Sequence, residues 1–216
     1  MKPESFTCGD EGWWAVVNID QRRSRHSPDL VPSLLESLAD LAVALPAERT
    51  VGDEVQVLTR TSATLTDILE VTARSDDWRV GIGFGPVETP LPPSVRQARG
   101  PAFVAAREAV EAAHSSPSNL AMRAPDDVGA ADYAGNRVAS AGTIAGLLHH
   151  VWSRRTREGW DVVDQLREHG TGRAAAEAMG ISPSAVSQRL RTAGWQPAEQ
   201  GRELLRQVFD DILQAP

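Results

Sequence analysis

Residues 172–195, GRAAAEAMGISPSAVSQRLRTAGW, constrain the fold more than any other stretch, because they specify two short helices joined by a fixed turn. An Ala-rich helix over Arg173 to Met179 stops at Gly180, a residue type suited to the left-handed conformation that ends helices. Ile181 fills the gap between the helices, Ser182 caps the second one and Pro183 suits its first turn. Val186 and Leu190, four residues apart, share the face turned toward the first helix. Ser184, Ser187, Gln188 and Arg191 follow i, i+3, i+4, i+7 on another face, and with Arg189 they give a hydrogen-bonding surface without a carboxylate. This is the pattern of a helix-turn-helix, and these five residues are the expected contacts to double-stranded DNA. An ordinary helical hairpin accounts for the same caps. It does not account for an acid-free ridge in a chain with 29 Asp and Glu residues.

Charge sharpens the expectation. Residues 1–150 hold 13 Lys and Arg against 20 Asp and Glu, whereas residues 151–216 hold nine of each. A net charge of −7 excludes non-specific adhesion to DNA over the whole surface, so any contact is local. Arg154, Arg155 and Arg157, then Arg173, Arg189 and Arg191, are the candidate patches. No apolar run is long enough to cross a bilayer, so no membrane partner is expected. The leader MKPESFTCGDEGWW lacks an apolar signal region, and Cys8 is the only cysteine. A reducing cytoplasm without internal disulfides is the expected setting.

Upstream, the periodicity changes. WWAVVNI (13–19) reads as a central strand ending at Asp20. Leu30, Leu34, Leu38, Leu41 and Leu45 mark a helical stripe. ERTVGDEVQVL gives two strands hinged on Gly52-Asp53, and SATLTDILEVTARS gives a helix. WRVGIGFGPVE reads as a strand whose glycines admit a close backbone, residues 101–114 as a helix and NLAMRA as a last strand. The order predicts an α+β fold: a ferredoxin-like sheet domain with helices on one face, followed by an all-α helix-turn-helix domain. APDDVGAADYAG forms the seam. A helix from Asn136 to Arg157 then leads into Trp160–His169, and an amphipathic helix carrying Leu204, Leu205, Val208, Phe209, Ile212 and Leu213 closes the chain. Its wide apolar stripe fits either internal packing or dimerisation. The division is 1–130 for the sheet domain, 131–157 for a connecting helix and 158–216 for the DNA-binding domain.

Asp20 ends the central strand and Asp53 sits in the neighbouring hairpin, so both carboxylates can face one cleft. Two adjacent carboxylates repel unless a cation lies between them, and Mg²⁺ with nucleotide phosphates is the usual solution. The plainer reading stands beside it: Gly-Asp makes a hairpin turn without metal, and Asp20 can cap the turn after its strand. Arg22, Arg23 and Arg25 fit either phosphates or a solvated loop. His149 and His150 lack metal-ligand companions and read as helix surface. Trp13, Trp14, Trp78 and Trp160 read as core.

NIDQRRSR (18–25), VGDEVQVL (51–58), RVGIGFGPV (79–87) and GPAFVAAREAVEAA (100–113) resemble, in order and spacing, the SatD family of bacterial proteins. The resemblance implies a transcriptional regulator with a C-terminal helix-turn-helix. The same blocks are similar to a degenerate class III nucleotidyl cyclase. That similarity implies metal-binding roles for Asp20 and Asp53, and nucleotide-binding roles for Arg107, toward the phosphates, and Arg49, at the base-selecting position. Phe103 stands where cyclases keep an asparagine. A phenyl ring donates no hydrogen bond, so the pattern implies holding a nucleotide with Mg²⁺ rather than turning it over, and no catalytic residue is assigned.

The expectation is a cytoplasmic homodimeric regulator whose cyclase-like domain senses a nucleotide and whose helix-turn-helix binds an operator. An active nucleotidyl cyclase and a non-catalytic scaffold are the alternatives.

Overall fold

A computed structural model describes residues 12–125 and 133–215. Cys8 and most of the expected seam, residues 126–132, lie outside the described residues. The apolar run after Gly12 forms the central strand β1 (Trp14–Gln21). The Gly52-Asp53 turn joins β2 (Leu45–Arg49) to β3 (Glu54–Thr59), with Gly52 at a φ of 64° that a side chain would strain. β4 (Trp78–Gly85) and β5 (Leu120–Arg123) complete a sheet in the order β2-β3-β1-β4-β5. The first four strands are antiparallel neighbours, and β5 runs parallel to β4. The protein is an α+β molecule: a five-stranded mixed sheet followed by a helical C-terminal region.

Strand alternation sorts the core into two layers. Ala15, Val17 and Ile19 of β1 join Val80, Ile82 and Phe84 of β4 on one face, under α1 (Val31–Leu38) and α2 (Ser62–Ala73). Trp14, Val16 and Leu58 face the other way, against Ala102 and Ala106 of α3 (Pro101–Ala113). The sheet is thus covered on both faces, which corrects the one-sided expectation. Glycines 81 and 83 explain the extra layer. A Cβ on Gly81 would fall on the backbone of Val110, and one on Gly83 on the backbone of Ala106, so α3 lies directly on bare strand. Trp13, Trp14, Trp78 and Trp160 are all buried, as their setting predicts.

α1 ends at Leu38 rather than running on to Leu45. Pro46 disfavours helical torsions at Leu45, which instead begins β2 opposite Leu58. Leu41 packs against the core from a loop.

α4 spans Tyr133–Trp152 and stops before Arg157, because Thr156 caps a separate helix, α5 (Arg157–His169). α6 (Gly172–Met179), α7 (Pro183–Thr192) and α8 (Trp195–Leu213) follow. Packing crosses the boundary drawn at residue 157. Leu205, Phe209 and Ile212 of α8 are buried in the main core with Leu148 and Trp152 of α4, and the Phe209 ring lies 5.8 Å from Phe84 of β4. Leu204, counted in the apolar stripe, is instead exposed. The α5–α6–α7 unit is therefore bracketed by two helices that belong to the core of the sheet.

Candidate nucleic-acid interface and nucleotide cleft

Local chemistry sets the three-helix unit. Thr156, Thr171 and Ser182 cap α5, α6 and α7 by accepting hydrogen bonds from the N–H groups of Gly159, Ala174 and Ala185. Gly180 takes φ 64° after α6, and the Ile181 N–H donates to Ala176 O at 3.0 Å, closing the turn. Val162, Ala176 and Val186 form a small core, with Met179, Ile181 and Leu190 packed around it. The inward roles of Val186, Leu190 and Ile181 thus hold.

On the opposite side Ser184, Ser187, Gln188 and Arg191 are exposed, and Arg189 is half-buried beside them. The Ser187 hydroxyl donates to Pro183 O at 3.0 Å and keeps its acceptor lone pairs free. Arg155 leaves the expected basic patch. It is 8% exposed, its Nε donates to Ala193 O at 2.8 Å, and its guanidinium stacks on Trp160 at 4.6 Å. It is a structural tie between the α4–α5 turn and the end of α7.

The second candidate site is a cleft of ≈ 560 Å³ at one end of the sheet. Register places Asp20 of β1 between Glu54 of β3 and Arg79 of β4, and the hairpin carries Asp53 to the same cleft. Burial pushes the Asp20 carboxyl up, and the neighbouring Asp53 pushes it further, against the pull of Arg79 and His114. Arg79 donates to Asp20 Oδ2 at 3.1 Å, and His114 Nε2 lies 4.0 Å from that oxygen. Arg107 of α3 and Arg96 form a cationic side of the same cleft.

Arg49 is not brought there. It makes a bidentate pair with Asp29, at 2.8 and 3.0 Å, and its Nε donates to Gly52 O at 2.6 Å. Phe103 is half-buried in the apolar layer around Trp14 and Val16, and does not line the cleft. Arg22 and Arg23 pair with Asp76, and His149 is half-buried rather than surface.

Asp20 and Asp53, with Glu54 on the same cleft, suit a hard cation that shares its coordination with ligand phosphates. No cluster of three or more His, Cys, Asp or Glu able to hold a metal occurs among the described residues. The donor set fits Mg²⁺ only in company with a phosphate ligand.

The sequence model of the SatD family matches residues 33–199. The chain belongs to the SatD family. No curated protein and no solved structure matches it. The matched span of this SatD protein takes in Asp53, Arg107 and the whole of α7. Among its described residues no helix is long and apolar enough to cross a membrane.

Arg96, Thr50 and Gln56 are cleft residues that sequence reasoning missed. Arg96 follows a Pro-rich loop without periodicity, and only the tertiary path of that loop brings it to the cleft. Gln56 was legible as an outward position of β3, where it donates to Asn18 Oδ1 at 2.9 Å.

Proposed function

We propose that this SatD protein is a DNA-binding transcriptional regulator in which α7 reads duplex DNA and the nucleotidyl cyclase-like sheet domain senses a nucleotide. The observation that carries the reading is the acid-free face of α7. Ser184, Ser187, Gln188 and Arg191 are free to enter a major groove, while Val186 anchors the helix from behind. A ten-residue recognition helix buries too little surface for selective binding alone, so the acting species is a homodimer on two half-sites, in the cytoplasm. In the cleft Asp20 and Asp53 hold Mg²⁺, which screens their repulsion and draws in phosphates, while Arg96 and Arg107 bind phosphate oxygens. Arg49, bound to Asp29, supports the hairpin instead of selecting a base.

Sequencing the DNA fragments retained by the protein, with and without added nucleotides, tests both halves. Enrichment of a two-half-site sequence is expected, and it should vanish in a Gln188→Ala, Arg191→Ala double variant. Truncating a side chain that reads a base costs about 1–3 kcal/mol. Retention of random sequence by wild type and variant alike defeats the proposal.

The meeting of Asp20, Asp53 and Arg107 in one cleft also favours a second reading, an active nucleotidyl cyclase. Incubation with ATP or GTP and Mg²⁺, read by mass, decides it, with Asp53→Ala abolishing any cyclic product.

A further inference from the structure

We infer that the groove beside α7 seats a backbone phosphate of the DNA whose bases α7 contacts; the inference rests on the DNA-binding reading above. The groove, of ≈ 320 Å³, is walled by Arg154 and Thr156 in the α4–α5 turn, by Glu158 of α5, and by Gln188, Arg189 and Thr192 of α7. Gln188 belongs both to the groove and to the exposed ridge of α7. A nucleic-acid strand touched by the ridge therefore runs on into the groove without a break.

The two sides of the groove each carry a cation. Arg154 is exposed and has no ion-pair partner among the described residues. Arg189 is half-buried and lines the groove with Glu158, near enough to draw that carboxyl down. Arg155 ties the two walls together. Its bond to Ala193 O satisfies a carbonyl at the C-cap of α7 and fixes the turn that bears Arg154.

The amino end of α5 is not the anion seat, because Glu158 fills it. Its own backbone N–H and the Thr156 hydroxyl, with Arg189 and Arg157 nearby, hold the Glu158 carboxyl below the usual range. The carboxylate stays ionised next to Arg189 and opposes an incoming phosphate. Two arginines thus attract the backbone and one glutamate moderates it, which gives variants of opposite sign.

The test is fluorescence anisotropy of a random-sequence duplex pool titrated with the full chain over a salt series. Arg154→Ala with Arg189→Ala is expected to lower the log–log salt slope by about 1, the contribution of the one phosphate seated there, and to weaken all sequences alike. Glu158→Gln is expected to tighten binding. If the wild-type chain binds no duplex, the DNA reading and this assignment fall together. Wild-type binding with an unchanged slope in the double variant overturns this assignment alone. A melting shift on adding inorganic phosphate, abolished in the double variant while the duplex slope stays constant, gives the groove to a free phosphate and also overturns it.

Discussion

Glu70 sits where α2 meets α5 and α8, with its side chain 5% exposed, and accepts hydrogen bonds from Arg167 and Arg202 while Arg74 stands 3.6 Å away. Burial by itself would push the carboxyl up. The Arg167 hydrogen bond and the fields of Arg167, Arg202 and Arg74 overcome that, and the group is held below the ordinary glutamate range. A carboxyl depressed in the folded state contributes stability above its unfolded pKa and loses it as the pH falls through the folded value. Asp67, beside Arg202 and Arg206, works the other way, since burial dominates and raises it. Removing one member of a buried ionic cluster strands the others, at a cost of about 3–5 kcal/mol. Glu70→Gln should show a loss of that order in urea melts at neutral pH, and the gap to wild type should close in acid. A gap independent of pH would mean that the glutamate charge does not hold this seam. None of this was legible in the sequence: Arg167 lies 97 residues away and Arg202 132, and ILEVT gives no sign of either. Asp20 and Asp53 were legible because strand register and turn chemistry, both local, carry them to one cleft.

At the scale of elements, the signals that succeeded are short-range. The Gly180 and Ser182 pair that ends α6 and starts α7 needs only adjacent residues, as does the Gly52 hairpin. Leucine periodicity failed after Leu38, where the stripe continues in sequence but Pro46 turns the chain into β2. The second helical layer was half legible. The glycines of β4 announced a close backbone, but not that α3 would supply it from the face opposite α1 and α2. The closeness gives a direct prediction. In Gly83→Ala the added methyl meets the Ala106 nitrogen and the Ala102 carbonyl, which are helix backbone and have no rotamer to swing aside. α3 must lift from the strand, a form of overpacking that costs about 1–3 kcal/mol. Equilibrium unfolding should show that loss. Because α3 also carries Arg107, the variant should bind nucleotide more weakly than its stability alone explains, as measured by isothermal titration with a Mg²⁺–nucleotide complex. An alanine variant of wild-type stability would mean that α3 does not rest on bare strand.

For the whole molecule, the consequence is that the three-helix unit, with its own small core, is held between helices that belong to the core of the sheet. A domain break at residue 157 implies a sheet domain that folds without the C-terminal helix. The packing implies the reverse, since Leu205, Phe209 and Ile212 of α8 fill the sheet's layer beside Phe84, and the Glu70 cluster fastens α5 to α2 across the same seam. The chain enters the three-helix unit from α4 and returns from it through α8. Phe209→Ala should cost about 3–5 kcal/mol through the cavity it leaves. Two probes distinguish the cases: Trp14, buried in the sheet against α3, and Trp195, at the start of α8 beneath Arg167. With all other tryptophans replaced by phenylalanine, one chain retaining Trp14 and another retaining Trp195 should unfold at the same urea concentration. Phe209→Ala should move both midpoints by the same amount. Separate transitions, with only the Trp195 signal responding to the Phe209 change, would mean that the helical unit folds on its own and that the cleft has no rigid path to α7.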